Sequence, residues 1–558
     1  MQKKIICLYS MISFLLTIIF YRLYYISQNK NFAMVSEKQS SYVLDVCNKR
    51  AMIYDCNFKP LVNTQSEVFA AVVPSPKTLT TVAPFVEDED KDEMMRKIKS
   101  GKPFLIKVNN YNIYDDGIEI INMKKRYSDN QLATHIIGYT NGLDDGVCGI
   151  EKSYNNFLKQ NTQKIKIKYK INARQDNYSQ ALPLVDYGDK NNNYGVVLTL
   201  DKRIQQITEN AAKNIGKGAV VVMDAQNGDL KSIVSLPTYS PLDVENYLND
   251  VNSPLINRAF CAYNVGSTYK LLVSCAALEE DYDRFINFKS TCVGCKQLDS
   301  NIFKCHFLAG HGTIGLRKAL EISCNPYFID LALNVGPMNI VGLSKSLGFG
   351  KPDVLANGMA TQSGSLPDKT ELVTKSDVAN LGFGQGKLMT TPLQIAKMVA
   401  MVANDGYLVA PRLVKGISDK SGKNIEKEMK HIGQTKIISA KTARTIKEMM
   451  VSVVEHGSGK KAKPFTGGAG GKTASAQTGH YRDADGKEEI VHAWFAGFFP
   501  VEEPKYVVVV LVEGGESGGD VAAPVFKEIA DGILSVSDIK PSVLGRSQAV
   551  GISKTVSE

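Results

Sequence analysis

Three short motifs in this 558-residue chain carry residue types suited to acyl transfer. Ser267-Thr268-Tyr269-Lys270 follows Gly266 and precedes the apolar run Leu271-Leu272-Val273, so the serine is predicted at the first turn of a buried helix. A spacing of three brings the lysine amine over the same helix face as the hydroxyl. Acyl transfer needs a serine alkoxide, and a lysine desolvated at a helix start is disfavoured as a cation, so Lys270 can take the Ser267 proton. Alone, Ser-x-x-Lys is a weak signal that many chains carry by chance. Two further motifs sharpen it. Ser323-Cys324-Asn325 begins 56 residues after Ser267, and Lys472-Thr473-Ala474-Ser475 begins 147 residues after Asn325, behind Gly467-Gly468-Ala469-Gly470-Gly471. The order SxxK, SxN, KT(G/A), on a helix start, a loop and a strand edge, is a specific set.

A second constellation has metal-ligand character. Cys292-Val293-Gly294-Cys295 is a CxxC with glycine at the turn, and Cys305-His306 follows after nine intervening residues. Two thiolates from a tight turn and a second pair nearby are the ligand supply of a tetrahedral structural zinc. The expected set is Cys292, Cys295, Cys305 and His306, with His311 as the alternative fourth ligand. A Cys292–Cys305 or Cys295–Cys305 disulfide, or reduced thiols, are the competing readings. Four protein ligands leave no open coordination position, so the role expected of the metal is to brace the loop between the first two motifs, with no cofactor used in catalysis.

The elements that must position these motifs follow from pattern. Ile204, Ile207, Ala211 and Ile215 at helical spacing behind Asp201 predict a helix stopped by Gly216. The apolar runs 219–223 and 230–234 flank Asn227-Gly228, a strong hairpin signal. Segments 490–499 and 506–512 read as two more strands and 521–534 as a closing helix, with a mainly helical stretch over 266–403 between the two halves. This is an α+β pattern, an antiparallel sheet with flanking helices and a helical lobe. Upstream, 68–73 and 104–108 read as strands, and charge-dense 87–102 as a solvated helix. The turn-forming stretch around 189–195 marks a boundary between this strand-rich part and the rest.

Composition narrows the class. With 44% hydrophobic and 22% charged residues the chain is globular in character. Its net charge of +9 comes with no long Lys/Arg block, so no nucleic-acid partner is implied. One uncharged apolar run, 5–21, follows Lys3 and Lys4 and reads as a single membrane span, with the lysines favouring a cytoplasmic N-terminus. A cleaved signal peptide is the other reading, against which stand the length of the run and the lack of a small-x-small site after it. Ten cysteines, one of them Cys7 in that run, leave nine outside it, an odd number that complete disulfide pairing cannot satisfy. The expected division is 1–26 for stub and anchor, 27–194 for the strand-rich part, 195–535 for the part that carries the three motifs and 536–558 for a loose tail.

Taken together, the three motifs resemble those of class B penicillin-binding proteins, the membrane-anchored D,D-transpeptidases of peptidoglycan synthesis. The likeness extends to Arg50-Ala51-Met52-Ile53-Tyr54-Asp55, where the usual glycine is Ala51, and to Gly149-Ile150-Glu151. It also covers Gly384-Gln385-Gly386, Thr391-Pro392-Leu393-Gln394 and His492-Ala493-Trp494-Phe495-Ala496-Gly497. The resemblance implies a penicillin-binding/β-lactamase-like transpeptidase domain at 195–535 on an elongated β-rich pedestal of the dimerisation type at 27–194. It implies that Ser267 attacks the bond between the last two D-alanines of a stem peptide, with Lys270 as base. Ser323 and Asn325 would relay protons and hold the substrate amide, Lys472 and Thr473 would bind the terminal carboxylate, and the N–H groups of Ser267 and Ser475 would form the oxyanion hole. β-Lactams would acylate Ser267, and a SEDS-type membrane glycan polymerase is the expected partner. The alternative is a catalytically weak scaffold for such a polymerase, raised by Ala474, where the family usually has glycine and where slower β-lactam acylation is expected.

Overall fold

The computed structural model describes residues 2–170, 183–189, 191–430, 432–481 and 488–536. Lys190 of the expected boundary stretch and the expected tail beyond Val536 lie outside the described residues. The chain divides into two compact units, one of Met1–Ala51, Val62–Ser128 and Leu158–Asn193 and the other of Met52–Leu61, Asp129–Phe157 and Tyr194–Glu558. The boundary expected at 194/195 is therefore one of several crossings, and 52–61 and 129–157 lie with the second unit.

In the first unit, helix α1 (Gln2–Gln28) is long and apolar enough to cross a membrane. Strand Gln65–Val72 pairs antiparallel with Phe104–Val108 on one side and Ile118–Lys125 on the other. Alternation puts Val68, Ala70 and Val72 on one face with Phe104, Ile106 and Val108, where they form a core. The charge-dense segment is a helix, Asp88–Lys99, with acids in its first turn and bases in its last, favourable to its dipole, and it buries Met94. A second sheet is formed by Ser41–Lys49, Gln163–Lys170 and Leu184–Asp186.

The second unit begins its main body with α2 (Lys202–Ala211). Asp201 caps it by accepting from Arg203 N at 2.9 Å, and Asp55 accepts from Lys202 N at 3.0 Å, so the Arg50–Asp55 segment supplies a second acid to the same helix start. The helix ends at Ala211, short of Gly216, and Ile215 is buried from the turn that follows. Strands β1 (Gly218–Asp224) and β2 (Leu230–Leu236) form the hairpin expected around Asn227-Gly228. Gly228 has φ +76°, and a Cβ there would meet Ala410 O at 2.2 Å, so glycine is required at this turn.

The helical lobe contains α3 (Lys270–Glu280), α4 (Asn325–Val335) and α5 (Pro392–Ala403), and α6 (Ala440–Glu455) follows. The lobe also carries short β-hairpins, so 266–403 is less purely helical than expected. Thr391-Pro392-Leu393-Gln394 is the start of α5: Thr391 Oγ1 accepts from Gln394 N, Gln394 Oε1 accepts from Thr391 N, and Pro392 occupies the first turn. Every residue of α5 is buried: most are apolar, Gln394 is satisfied in the cap, and Lys397 is paired with Asp353 at 2.7 Å.

Strands β3 (Gly470–Tyr481), β4 (Glu489–Phe499) and β5 (Tyr506–Val512) complete one antiparallel sheet in the order β2-β1-β5-β4-β3. After a single π-turn, Gly518–Ala522, the closing helix α7 (Ala523–Val536) packs its Phe526, Ile529 and Ile533 with Ile204 of α2 against Val220, Val222, Phe495, Val508 and Val510. The α5 helix packs on β1, β4 and β5. The sheet is thus sandwiched between helices, and β3, which carries the third motif, is left as an edge strand beside the lobe.

Candidate active site

The nucleophile turn is clamped from two directions. Ser267 lies in a tight turn, Gly266–Tyr269, that runs into α3. Gly266 has φ +57° and donates its N–H to Gly384 O at 2.9 Å. A Cβ on Gly384 would meet Gly266 O at 2.0 Å, which explains the glycine in Gly384-Gln385-Gly386. Just upstream, Tyr263-Asn264 pairs with Met389-Thr390, and Trp494 Nε1 on β4 donates to Asn264 O at 3.0 Å. These contacts give a positional reason for two of the segments that the family likeness singled out.

The second motif sits in the loop between helix Leu316–Glu321 and α4. Ser323 takes φ +57°, a left-handed conformation that costs a non-glycine residue about 1–2 kcal/mol and is typical of functional sites. This turn aims both its carbonyl and its hydroxyl at Lys270. Lys270 Nζ donates to Ser323 O at 2.8 Å and to Asn325 Oδ1 at 2.7 Å, and it lies 3.3 Å from Ser323 Oγ. From the sheet side, Lys472 Nζ donates to Ser323 Oγ at 3.0 Å and to Thr473 O at 2.9 Å. Lys270, Ser323, Asn325, Lys472 and the Thr473 carbonyl are therefore joined in one hydrogen-bonded cluster, and Ser267 lies in the turn that leads into Lys270.

Electrostatics follow from burial. Both Lys270 and Lys472 have no exposed surface. Desolvation brings Lys270 down from 10.5 to about 7, close to neutrality at working pH. Lys472 is also held well below 10.5, first by burial and then by the charge of Lys270. An amine that is about half deprotonated near pH 7, held by acceptors and three residues after Ser267, has the properties a general base needs.

Strand alternation places Lys472, Ala474 and Ala476 on one face of β3 and Thr473 and Ser475 on the other. Ala474 is 3% exposed, and its Cβ lies 3.4 Å from where a Cβ on Gly266 would stand. The methyl group is packed over the nucleophile turn and away from open space. The slower β-lactam acylation expected from Ala474 has no steric source in the cleft. The exposed Ser475 hydroxyl accepts from Gly518 N at 3.3 Å, joining β3 to the π-turn.

The thiol cluster differs from the expected set. Ligand atoms of Cys292, Cys305, His311 and Cys324 lie within 4.8 Å of one another, and all three cysteines are buried. Cys305 Sγ is 3.6 Å from His311 Nδ1. Cys295 and His306 are outside this group. The CxxC turn sends Cys292 into a strand paired with Gly312, next to His311, while Cys295 is exposed and starts a separate hairpin opposite Lys304. His306 is exposed beside Cys305, 3.9 Å from its Sγ, so of the two histidines considered His311 faces the cluster. Cys324, inside the second motif and distant in sequence from the CxxC, reads from sequence as a buried thiol with no ligand role, and it is buried here. Of the adjacent thiols Cys305 is the one held low, first by the hydrogen bond from Cys324. Cys292, Cys295, Cys305 and Cys324 form no disulfide. A Cβ on Gly294 would meet Leu308 O at 1.9 Å and one on Gly310 would meet Cys292 O at 2.4 Å, so the two ligand loops stack backbone on backbone only because both are glycine.

Comparison with known proteins identifies the family and the fold. Residues 218–531 match the penicillin binding protein transpeptidase domain family. Stage V sporulation protein D of Bacillus subtilis is 29% identical over 433 residues, covering 75% of this chain, and the match spans 65% of that relative's length. Peptidoglycan D,D-transpeptidase MrdA of Salmonella typhimurium is 24% identical and is covered, like this chain, over 95% of its length. The fold matches penicillin-binding protein PBP2 of Helicobacter pylori with a TM-score of 0.67 at 23% identity, over 89% of this chain and 100% of that one.

Proposed function

This chain belongs to the penicillin-binding protein transpeptidase family, and from that premise we propose that it is a serine D,D-transpeptidase that cross-links peptidoglycan stem peptides. The observation that carries the reading is the placement of Lys270, fully buried, near-neutral, and hydrogen-bonded to Ser323 and Asn325 of the second motif.

The reaction runs in two acyl transfers. Neutral Lys270 takes the Ser267 proton as Oγ forms a bond to the carbonyl carbon of the penultimate D-alanine. The oxyanion is held by the N–H groups of Ser267 and Ser475, each typically contributing about 3–4 kcal/mol. As the C–N bond breaks, the proton returns through the Ser323 hydroxyl, which lies between the two lysines, and the terminal D-alanine leaves as an amine. The amine of a second stem peptide then attacks the ester, gives up its proton along the same route, and releases Ser267. Asn325 orients the donor amide and Lys472 and Thr473 receive its terminal carboxylate. β-Lactams acylate Ser267 by the first step and are trapped there. Labelling with a fluorescent penicillin, in the native chain and in Ser267→Ala, tests the reading.

Cys292, Cys305, His311 and Cys324 would hold a structural zinc. The donor set suits that ion, being soft, with its three thiols buried and all four ligand atoms within 4.8 Å of one another. Four protein ligands would complete the coordination, so the ion would brace the 292–324 region and take no part in bond making. Membrane attachment through α1 leaves the N-terminus in the cytoplasm and the chain after the span outside, following the lysines before the apolar run. A SEDS-type polymerase that supplies glycan strands is the partner that fits this location.

A further inference from the structure

The loop after α6 holds a residue with no assigned role that touches the third motif. Ser458 Oγ lies 2.7 Å from Thr473 Oγ1. The loop is held in place by backbone contacts: Ser458 N donates to Glu321 O at 3.2 Å and Gly459 N to Val453 O at 3.0 Å. A Cβ on Gly457 would meet Glu321 O at 2.3 Å, and one on Gly519 would meet Ser458 O at 2.9 Å. Glu321 is two residues ahead of Ser323, and its carboxylate accepts from Ser452 of α6 at 2.7 Å. Ser458 is therefore wedged between the approach to the second motif, the side chain of the third, and the π-turn, while remaining exposed at the surface.

A bond between two hydroxyls uses one proton and leaves the other free to donate. Next to an anion, the favoured arrangement has Ser458 donating to Thr473 and Thr473 donating outward, since each bond polarises the next. We propose that Ser458 is a positioning residue that orients the Thr473 proton towards the terminal carboxylate of the donor peptide. Thr473 alone can rotate its proton among several acceptors, and Ser458 removes that freedom. Hydrogen bonds to charged groups are the strong ones, so the orientation matters only when the carboxylate is present. This inference rests on the transpeptidase reading.

The test uses the full chain and two D-alanyl thioesters of thioglycolic acid, one with a free carboxylate and one as its methyl ester. For Ser458→Ala, kcat/KM with the free acid is expected to fall about tenfold, mainly through KM, against less than about twofold with the methyl ester. Ser458→Thr should restore most of the loss. Partial misfolding would lower both substrates alike and leave their ratio unchanged, so the ratio reads the carboxylate contact alone. Equal losses on both thioesters, no loss on either, or no rescue by threonine would overturn the proposal. If the native chain is acylated by neither thioester nor by penicillin, the transpeptidase reading itself fails. Acylation by penicillin with an unchanged substrate ratio would refute Ser458 alone.

Discussion

Lys472 donates to the Ser323 hydroxyl at 3.0 Å, tying the third motif on the sheet edge to the second in the helical lobe. The same hydroxyl is 3.3 Å from Lys270, so one oxygen stands between two buried amines. In the proposed mechanism this oxygen is the relay between nucleophile and leaving group.

The pH dependence of acylation follows from Lys270. Its pKa is lowered to about 7, and only the neutral amine can accept the Ser267 proton, so acylation should rise with pH through about 7 and level above it. Stopped-flow acylation by a β-lactam across pH 5.5 to about 9 checks this. Lys270→Ala should cost about 10²–10⁴-fold in that rate.

Removing the Ser323 hydroxyl leaves Lys472 without one of its acceptors and interrupts the relay. Ser323→Ala should lower both acylation and deacylation by about tenfold or more, with little change in Tm. A loss confined to Tm would contradict a role in the relay.

The packing of Ala474 against Gly266 predicts an asymmetry between two small substitutions. Ala474→Gly should alter β-lactam acylation by less than about twofold, since it only opens a little space under the turn. Gly266→Ala should slow acylation about tenfold or more, because φ is +57° and the new Cβ would lie 3.0 Å from the Ala476 Cβ. Faster acylation in Ala474→Gly would restore the view that this methyl group hinders the cleft.

The metal reading predicts one zinc per chain in the purified protein. Cys292→Ser, Cys305→Ser and Cys324→Ser should each lose it and lower Tm by about 5 °C or more. Cys295→Ser and His306→Ala should keep it. Zinc retained in Cys324→Ser, or lost in Cys295→Ser, would contradict the assigned ligands.

Much of the sheet was legible because its signals are local. Asn227-Gly228 marks the hairpin, the β-branched run 506–512 marks a buried strand, and Asp201 marks a helix start. The candidate site residues were legible because the three motifs keep residue types together in a fixed order. What escaped lies in long-range convergence. Cys324 meets Cys292 across 31 intervening residues, beside the left-handed turn at Ser323, and nothing in the residues around 458 indicates a contact with Thr473. The direction of the Ala474 methyl group was likewise undetermined until the strand's neighbour, Gly266, was known.

The most direct measurement is the mass of the chain after incubation with penicillin, followed by peptide mapping. The account predicts one penicilloyl adduct, carried by Ser267, stable over many minutes and absent from Ser267→Ala. No adduct on the native chain, an adduct of equal yield on Ser267→Ala, or rapid turnover that returns free enzyme and hydrolysed penicillin would contradict it.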